Sequence, residues 1–197
     1  MADPHAIDRA CSAIERGAAV VYPTETVYGL GADARSAAAV ERVFELKRRD
    51  RTKPLSVAVH GIDALGDIAH PTDKTRAFMH AFLPGPITVV CERRDRLTDV
   101  LTAGHPRVGI RIPDHDLARD LLRRSGPLTA TSANVSGGPS VTDVPDLDPR
   151  IHEGVAIVLD GGQTAGTPST VVDVDRGIIH RRGASADAVE AWLEEAG

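Results

Sequence analysis

The chain has 197 residues, with 23 Lys and Arg against 28 Asp and Glu, a formal net charge of −5 and 42% hydrophobic residues. That length and balance fit one sizeable globular domain, 1–197, and argue against nonspecific coating of nucleic acid. Two cysteines without ligand-like spacing, an N-terminus that is neither basic nor followed by an apolar stretch, and no apolar run of spanning length argue against a disulfide scaffold, a secretory leader and a membrane span. A soluble, cytoplasmic protein is expected.

Apolar residues at helical spacing (Ile7, Ala10, Cys11, Ile14), between Asp3-Pro4 and Gly17, predict a helix over 4–16. "AAVVY" (18–22) reads as a buried strand ended by Pro23, and "YPTETVYGLGADA" (22–34) as the polar loop that leaves it. Ser36 is placed to cap a second helix whose apolar face includes Val40, Val43 and Phe44. Further strands are predicted at 55–59, 87–91, 108–112, 127–131, 155–159, 170–174 and 177–181, and further helices near 72–82, 115–124 and 185–195. The alternation implies an α/β sandwich with a substantial sheet between helical layers, without internal repeats or a linker. The Gly/Ser/Pro-rich stretches 132–142 and 161–169 read as loops on that sheet.

Several familiar chemistries lack their signatures. There is no phosphate-binding G-x-x-x-x-G-K-[ST] and no G-x-S-x-G elbow, and "GLGADA" lacks the third glycine of a dinucleotide fingerprint. The eight scattered histidines have no metal-ligand spacing, so no resident metal site is expected.

The polar loops are more informative. Thr24 and Thr26 give the first loop hydroxyls and Glu25 a carboxylate, while Gly29 and Gly31 would let backbone approach a ligand. "KRRDRTK" (47–53) sets five cations against Asp50 at the end of the second helix. Taken alone, such a run fits a solvated helix end as well as an anion site. In "VGIRIP", strand alternation puts Val108, Ile110 and Ile112 on one face and Gly109 with Arg111 on the other. A guanidinium there suits a carboxylate or phosphate, or else an ion pair within the protein. "TATSANVSGGPSVT" (129–142) offers Ser132, Asn134, Ser136 and Ser140 with free backbone N–H groups, a cradle for phosphate or ribose or simply a connector. Ser169 and Arg181 sit at the ends of later strands.

In this order, Tyr22 to Gly31, Lys47/Arg49, Pro54-Leu55, Pro84 to Pro86, Arg111/Pro113, Ser132/Asn134, Ser169 to Asp173 and Arg181/Gly183/Ala184 closely resemble the motifs of the YrdC-like family, the threonylcarbamoyl-AMP synthases, in their short single-domain form. The resemblance spans about 18–184. It implies a twisted open mixed sheet flanked by helices, with a concave, positively charged face. It also implies the first half-reaction of threonylcarbamoyladenosine formation in tRNA: L-threonine, bicarbonate or CO2, and ATP give threonylcarbamoyl-AMP and pyrophosphate. Carried over residue by residue, it assigns Thr26, Arg111, Ala130 and Ser169 to L-threonine, with Arg111 as carboxylate clamp. Lys47, Arg49, Lys53, Ser132, Asn134, Ser140 and Arg181 go to ATP, and Lys47 and Arg49 are the catalytic cations. Mg2+ is implied through the ATP phosphates, and a downstream tRNA threonylcarbamoyltransferase as partner, with tRNA contact possible and no membrane. The sequence departs from many longer members at Lys53, where they carry asparagine, and at Ala58, where they carry histidine. An RNA-binding paralogue without synthase activity is the competing reading, since the same basic face could hold folded RNA. The related domain of hydrogenase-maturation carbamoyltransferases is disfavoured by the lack of cysteine-rich zinc segments.

Overall fold

The structure, a computed structural model, describes residues 4–196. Along the chain run α1 (Pro4–Glu15), β1 (Val20–Tyr22), β2 (Gly29–Gly31), α2 (Ala37–Lys47), β3 (Ser56–Ala58), β4 (Ala69–His70), α3 (Asp73–Phe82), β5 (Ile87–Arg93), α4 (Asp99–Thr102), β6 (Arg107–Arg111), α5 (Asp116–Ser125), β7 (Leu128–Ser132), α6 (Pro149–Gly154), β8 (Ile157–Val158), β9 (Thr170–Asp173), β10 (Ile178–Arg181) and α7 (Ala186–Glu195). The helix starts follow their caps: Ser36 Oγ accepts from Ala39 N, and Thr72 Oγ1 from Thr75 N. Helix α1 is followed by Gly17 at φ 81°, a left-handed turn that glycine adopts without strain. Asp3, part of the expected start signal, lies outside the described residues.

All the strands join one mixed sheet in the order β10-β9-β5-β6-β3-β7-β2-β1-β8, with β4 added on β5. Pairs β1/β8, β3/β6 and β5/β9 are parallel and the other pairs antiparallel. The expected sheet flanked by helices is therefore observed.

Side-chain alternation divides the sheet into two faces. On one, Val21, Leu30, Val57, Ile87, Val89, Val108, Ile110 and Val172 pack with α2, α3, α6 and α7 into the larger core. There Phe78 stacks on Phe82 at 4.5 Å and meets Trp192 edge-on at 5.0 Å. On the other face α1 and α5 form a second core with Val20, Tyr22, Ala58, Leu128 and Leu159. That second layer covers only the β3-β7-β2-β1-β8 side. Among the described residues the opposite face of β9, β5 and β6 carries no helix, and a cavity opens over it.

Two expectations are corrected. Gly29–Gly31, expected within a loop, is strand β2, paired with both β1 and β7. Its glycines make room for the Tyr22 ring: a Cβ on Gly31 would stand 2.8 Å from Tyr22 Cε1, and one on Gly29 3.0 Å from Cζ. The short elements β4, α4 and α6 were not expected, because two to six residues carry too little periodicity to read.

Candidate active site

The cavity has a volume of about 630 Å3, within the range of small-molecule sites. Its floor is built from alternate residues of neighbouring strands whose other residues form the core. Ser169, Val171 and Asp173 come from β9 and its entrance, Thr88 and Val90 from β5, and Arg107, Gly109 and Arg111 from β6. Register aligns them, since Arg111 lies opposite Thr88, and Thr88 opposite Val171. Five arginines and one aspartate line the cavity, so charge is concentrated here although the whole chain is acidic.

Eight of the expected site residues share this cavity: Thr26, Arg49, Arg111, Ala130, Ser132, Ser140, Ser169 and Arg181. Thr24 Oγ1 accepts from the N–H groups of Thr26 and Val27, both at 3.2 Å, donates to Val27 O at 2.6 Å, and lies 2.9 Å from Thr26 Oγ1. This side-chain turn fixes the loop after β1 against the sheet. Arg111, 6% exposed, donates from Nη1 to Gly85 O and to Ile87 O (3.1 Å), and from Nη2 to Glu25 Oε1 at 2.6 Å. Its Nη2 also lies 3.5 Å from Thr26 Oγ1. The buried guanidinium thus has an acid partner from the first loop, and Glu25 Oε2 is buried without a hydrogen bond. Glu25 was expected only as a polar loop residue. Its pairing with Arg111 depends on a contact 86 positions apart in sequence, which no local pattern signals.

Arg49 and Arg181 line the same cavity. Arg49 Nε donates to Lys53 O at 3.0 Å and Nη2 to Pro54 O at 2.9 Å. Arg181 donates from Nε and Nη2 to Ser169 O, at 3.0 and 2.8 Å, and from Nη2 to Ser169 Oγ at 2.9 Å, while Thr88 Oγ1 lies 3.0 Å from that same Oγ. Neither arginine is held by a carboxylate in these bonds. Burial, and then the Arg181 charge, lower the Arg49 pKa; burial alone lowers that of Arg181. Cations that destabilise one another around a cavity are relieved by an anion placed between them.

Three expected residues are not on the cavity wall. Lys53 is exposed outside it. Asn134 closes its own loop: Nδ2 donates to Val135 O at 2.9 Å and Gly138 O at 2.8 Å, and Oδ1 accepts from Ser132 Oγ. Lys47, expected to point inward at phosphate, is 2% exposed and lies behind the wall, its Nζ donating to Ser132 O and to Asn134 O at 2.6 Å. Burial, followed by the nearby Arg49 charge, pushes its pKa down to about 7. Thr88, Arg107 and Asp173 line the cavity unforeseen. For Thr88 and Asp173, the alternation within "ITVVC" and "STVVD" carries the signal that would have placed them there. Among the described residues no group of three or more His, Cys, Asp or Glu could hold a metal ion. No described helix is long and apolar enough to cross a membrane.

The family model described as "Telomere recombination" (Sua5, YciO, YrdC) matches residues 12–183. The threonylcarbamoyl-AMP synthase of Bacillus subtilis is 40% identical over 174 residues, covering 86% of this chain and 50% of that protein. A putative threonylcarbamoyl-AMP synthase of Methanocaldococcus jannaschii is 35% identical over 163 residues, covering 82% of this chain and 77% of its own length. The crystal structure of P. abyssi Sua5 complexed with L-threonine superposes with a TM-score of 0.83 at 35% identity, over 90% of this chain and 54% of that one. The chain thus spans about half the length of the Bacillus relative and of the Sua5 structure.

Proposed function

The chain belongs to the Sua5/YciO/YrdC family, and from that premise we propose that it is an L-threonylcarbamoyladenylate synthase, acting on L-threonine, bicarbonate or CO2, and ATP as its Mg2+ complex. The observation that carries this reading is the single cavity in which Arg49, Arg111 and Arg181 converge with the hydroxyls of Thr26, Ser132, Ser140 and Ser169. It has cations for a triphosphate and hydroxyls for both substrates within one space.

In the proposed reaction the threonine amine loses a proton and forms an N–C bond with CO2, giving a carbamate. A carbamate oxygen then attacks the α-phosphorus of ATP, the bond from that phosphorus to the bridging oxygen breaks, and pyrophosphate leaves. No covalent enzyme intermediate is required. The protein's task is to bring two anions together and to stabilise charge that develops between them. Arg49 and Arg181, with the hydroxyls of Ser132 and Ser140, face the phosphates. Thr26, Ala130 and Ser169 line the threonine end beside Arg111. Mg2+ would be held by the phosphate oxygens, since among the described residues no carboxylate cluster offers it a site. The product would pass to a tRNA threonylcarbamoyltransferase.

The test is incubation of the protein with ATP, L-threonine and bicarbonate, with mass analysis for threonylcarbamoyl-AMP and assay of threonine-dependent pyrophosphate. Formation of both is expected, together with their loss when Mg2+ is chelated. Absence of both, with salt-sensitive tRNA binding in their place, would overturn the assignment in favour of an RNA-binding role.

A further inference from the structure

Lys47 is a buried cation that donates to carbonyls rather than to a carboxylate or to the cavity. It is the last residue of α2, and the end of that helix is fixed from two sides. Arg150 donates from Nε to Leu46 O at 3.1 Å and from Nη2 to Glu45 O at 2.9 Å. The Lys47 carbonyl itself accepts from Ser136 N at 2.8 Å. From this anchored base the side chain runs beneath the segment after β7, where Nζ reaches the carbonyls of Ser132 and Asn134.

Lys47 therefore grips that segment at three points, residues 132, 134 and 136. The same segment needs a clamp. It contains Gly137 at φ 87° and Gly138, whose backbone freedom would otherwise let it sample many conformations. Beyond the clamp it carries Ser140 back to the cavity, where Ser132 also opens. Asn134 extends the arrangement by bonding across the turn to Val135 O and Gly138 O.

Taking the synthase reading as given, we propose that Lys47 is a positioning residue: it holds the 132–140 loop so that Ser132 and Ser140 meet the ATP phosphates, and it does not itself ligate phosphate. A lysine Nζ suits this task, because it is a compact donor with more than one N–H, enough to reach two carbonyls at once. The spacing Lys-x-Arg then separates two roles, with Arg49 facing the cavity and Lys47 facing the back of its wall.

Amide hydrogen exchange of the full chain without nucleotide, read together with ATP kinetics, tests this. In Lys47→Met, exchange across 132–140 should accelerate about tenfold as the two hydrogen bonds from Nζ are lost. The half-saturating ATP concentration should rise while turnover at saturating ATP is largely retained, and Lys47→Arg should restore part of the protection. Arg49→Ala should weaken ATP use with loop exchange unchanged. Unaltered exchange in Lys47→Met together with lost ATP affinity would overturn the proposal. A measurement on the wild type covers a variant that fails to fold: the 15Nζ resonance of Lys47 should be unmoved by ATP, and a large nucleotide-dependent shift would make Lys47 a direct ligand. Loop exchange needs no substrate, so failure of the synthase assay would leave this result separately readable.

Discussion

Arg111 and Glu25 form a pair at 2.6 Å, between a strand of the cavity floor and the loop that follows the first strand. Both are largely buried, with side-chain exposures of 7% and 19%. Glu25 occupies the guanidinium edge where a substrate carboxylate was expected to bind, and the neighbouring Nη1 already donates to two backbone carbonyls. Arg111 therefore fixes this part of the cavity structurally as well as lining it. Removing one member of a buried pair leaves an uncompensated charge, which costs about 3–5 kcal/mol. Arg111→Ala should thus be strongly destabilised in denaturant unfolding, and Arg111→Ala/Glu25→Gln less so. Additive losses in the double-mutant cycle would contradict the coupling.

Arg49 presents the opposite case, a cation at the cavity mouth whose bonds go only to carbonyls of its own turn. Arg49→Ala should raise the half-saturating ATP concentration about tenfold or more. Its melting temperature should stay within about 2 °C of wild type. Isothermal titration with ATP beside a thermal melt separates the two effects. A collapse of the fold would make Arg49 structural.

Lys47 gives stability a defined dependence on pH. Its pKa is pushed down to about 7 by burial, from 10.5 when solvated. Below about pH 7 it is protonated in both folded and unfolded chains and contributes no slope. Between about 7 and 10.5 the unfolded chain holds the extra proton, so this group makes the folded state more stable as pH rises, by up to about 1.4 kcal/mol per unit. The difference in unfolding free energy between wild type and Lys47→Met should grow in favour of wild type over that window. Denaturant titrations at several pH values measure it, and a flat difference would mean that the buried amine keeps its ordinary pKa.

Gly183 and Gly177 should respond differently to alanine. A Cβ on Gly183 would sit 2.2 Å from Pro168 O and 2.7 Å from Ser169 O, both backbone atoms that cannot swing aside. Gly183→Ala should cost about 1–3 kcal/mol and should displace Ser169, weakening threonine dependence more than ATP dependence. Gly177 has φ 65° and open space around it, so Gly177→Ala should cost only about 1–2 kcal/mol of backbone strain and leave both substrates unaffected. Melting temperatures with substrate titrations distinguish the pair.

Strand alternation correctly separated Arg111 from Ile110 and Ile112, because a period of two is a local property of the chain. The helix cap at Ser36 was readable from equally local signals. Strand β2 was missed because its glycines look like a turn; their need arises only from the Tyr22 ring folded above them. The inward direction expected for Lys47 followed from motif spacing. Spacing shows that Lys47 and Arg49 are near one another but not which side of the 132–140 segment each will occupy. Glu25 escaped notice since its partner lies on a distant strand. Local chemistry was legible, whereas the pairing of loops with strands depended on the finished sheet.

The uncovered half of the sheet face has a consequence for folding fidelity. Arg107, Gly109 and Arg111 alternate with Val108 and Ile110, as Val171 and Asp173 do with Thr170 and Val172. A slip of one residue in β6 or β9 would drive guanidinium or carboxylate into the apolar layer beneath α3 and α7 and strand valine and isoleucine at the cavity. The charges that equip the floor for anions therefore also forbid the nearest misregistered sheets. A charge-neutral substitution there would loosen the choice of register as well as the grip on substrate.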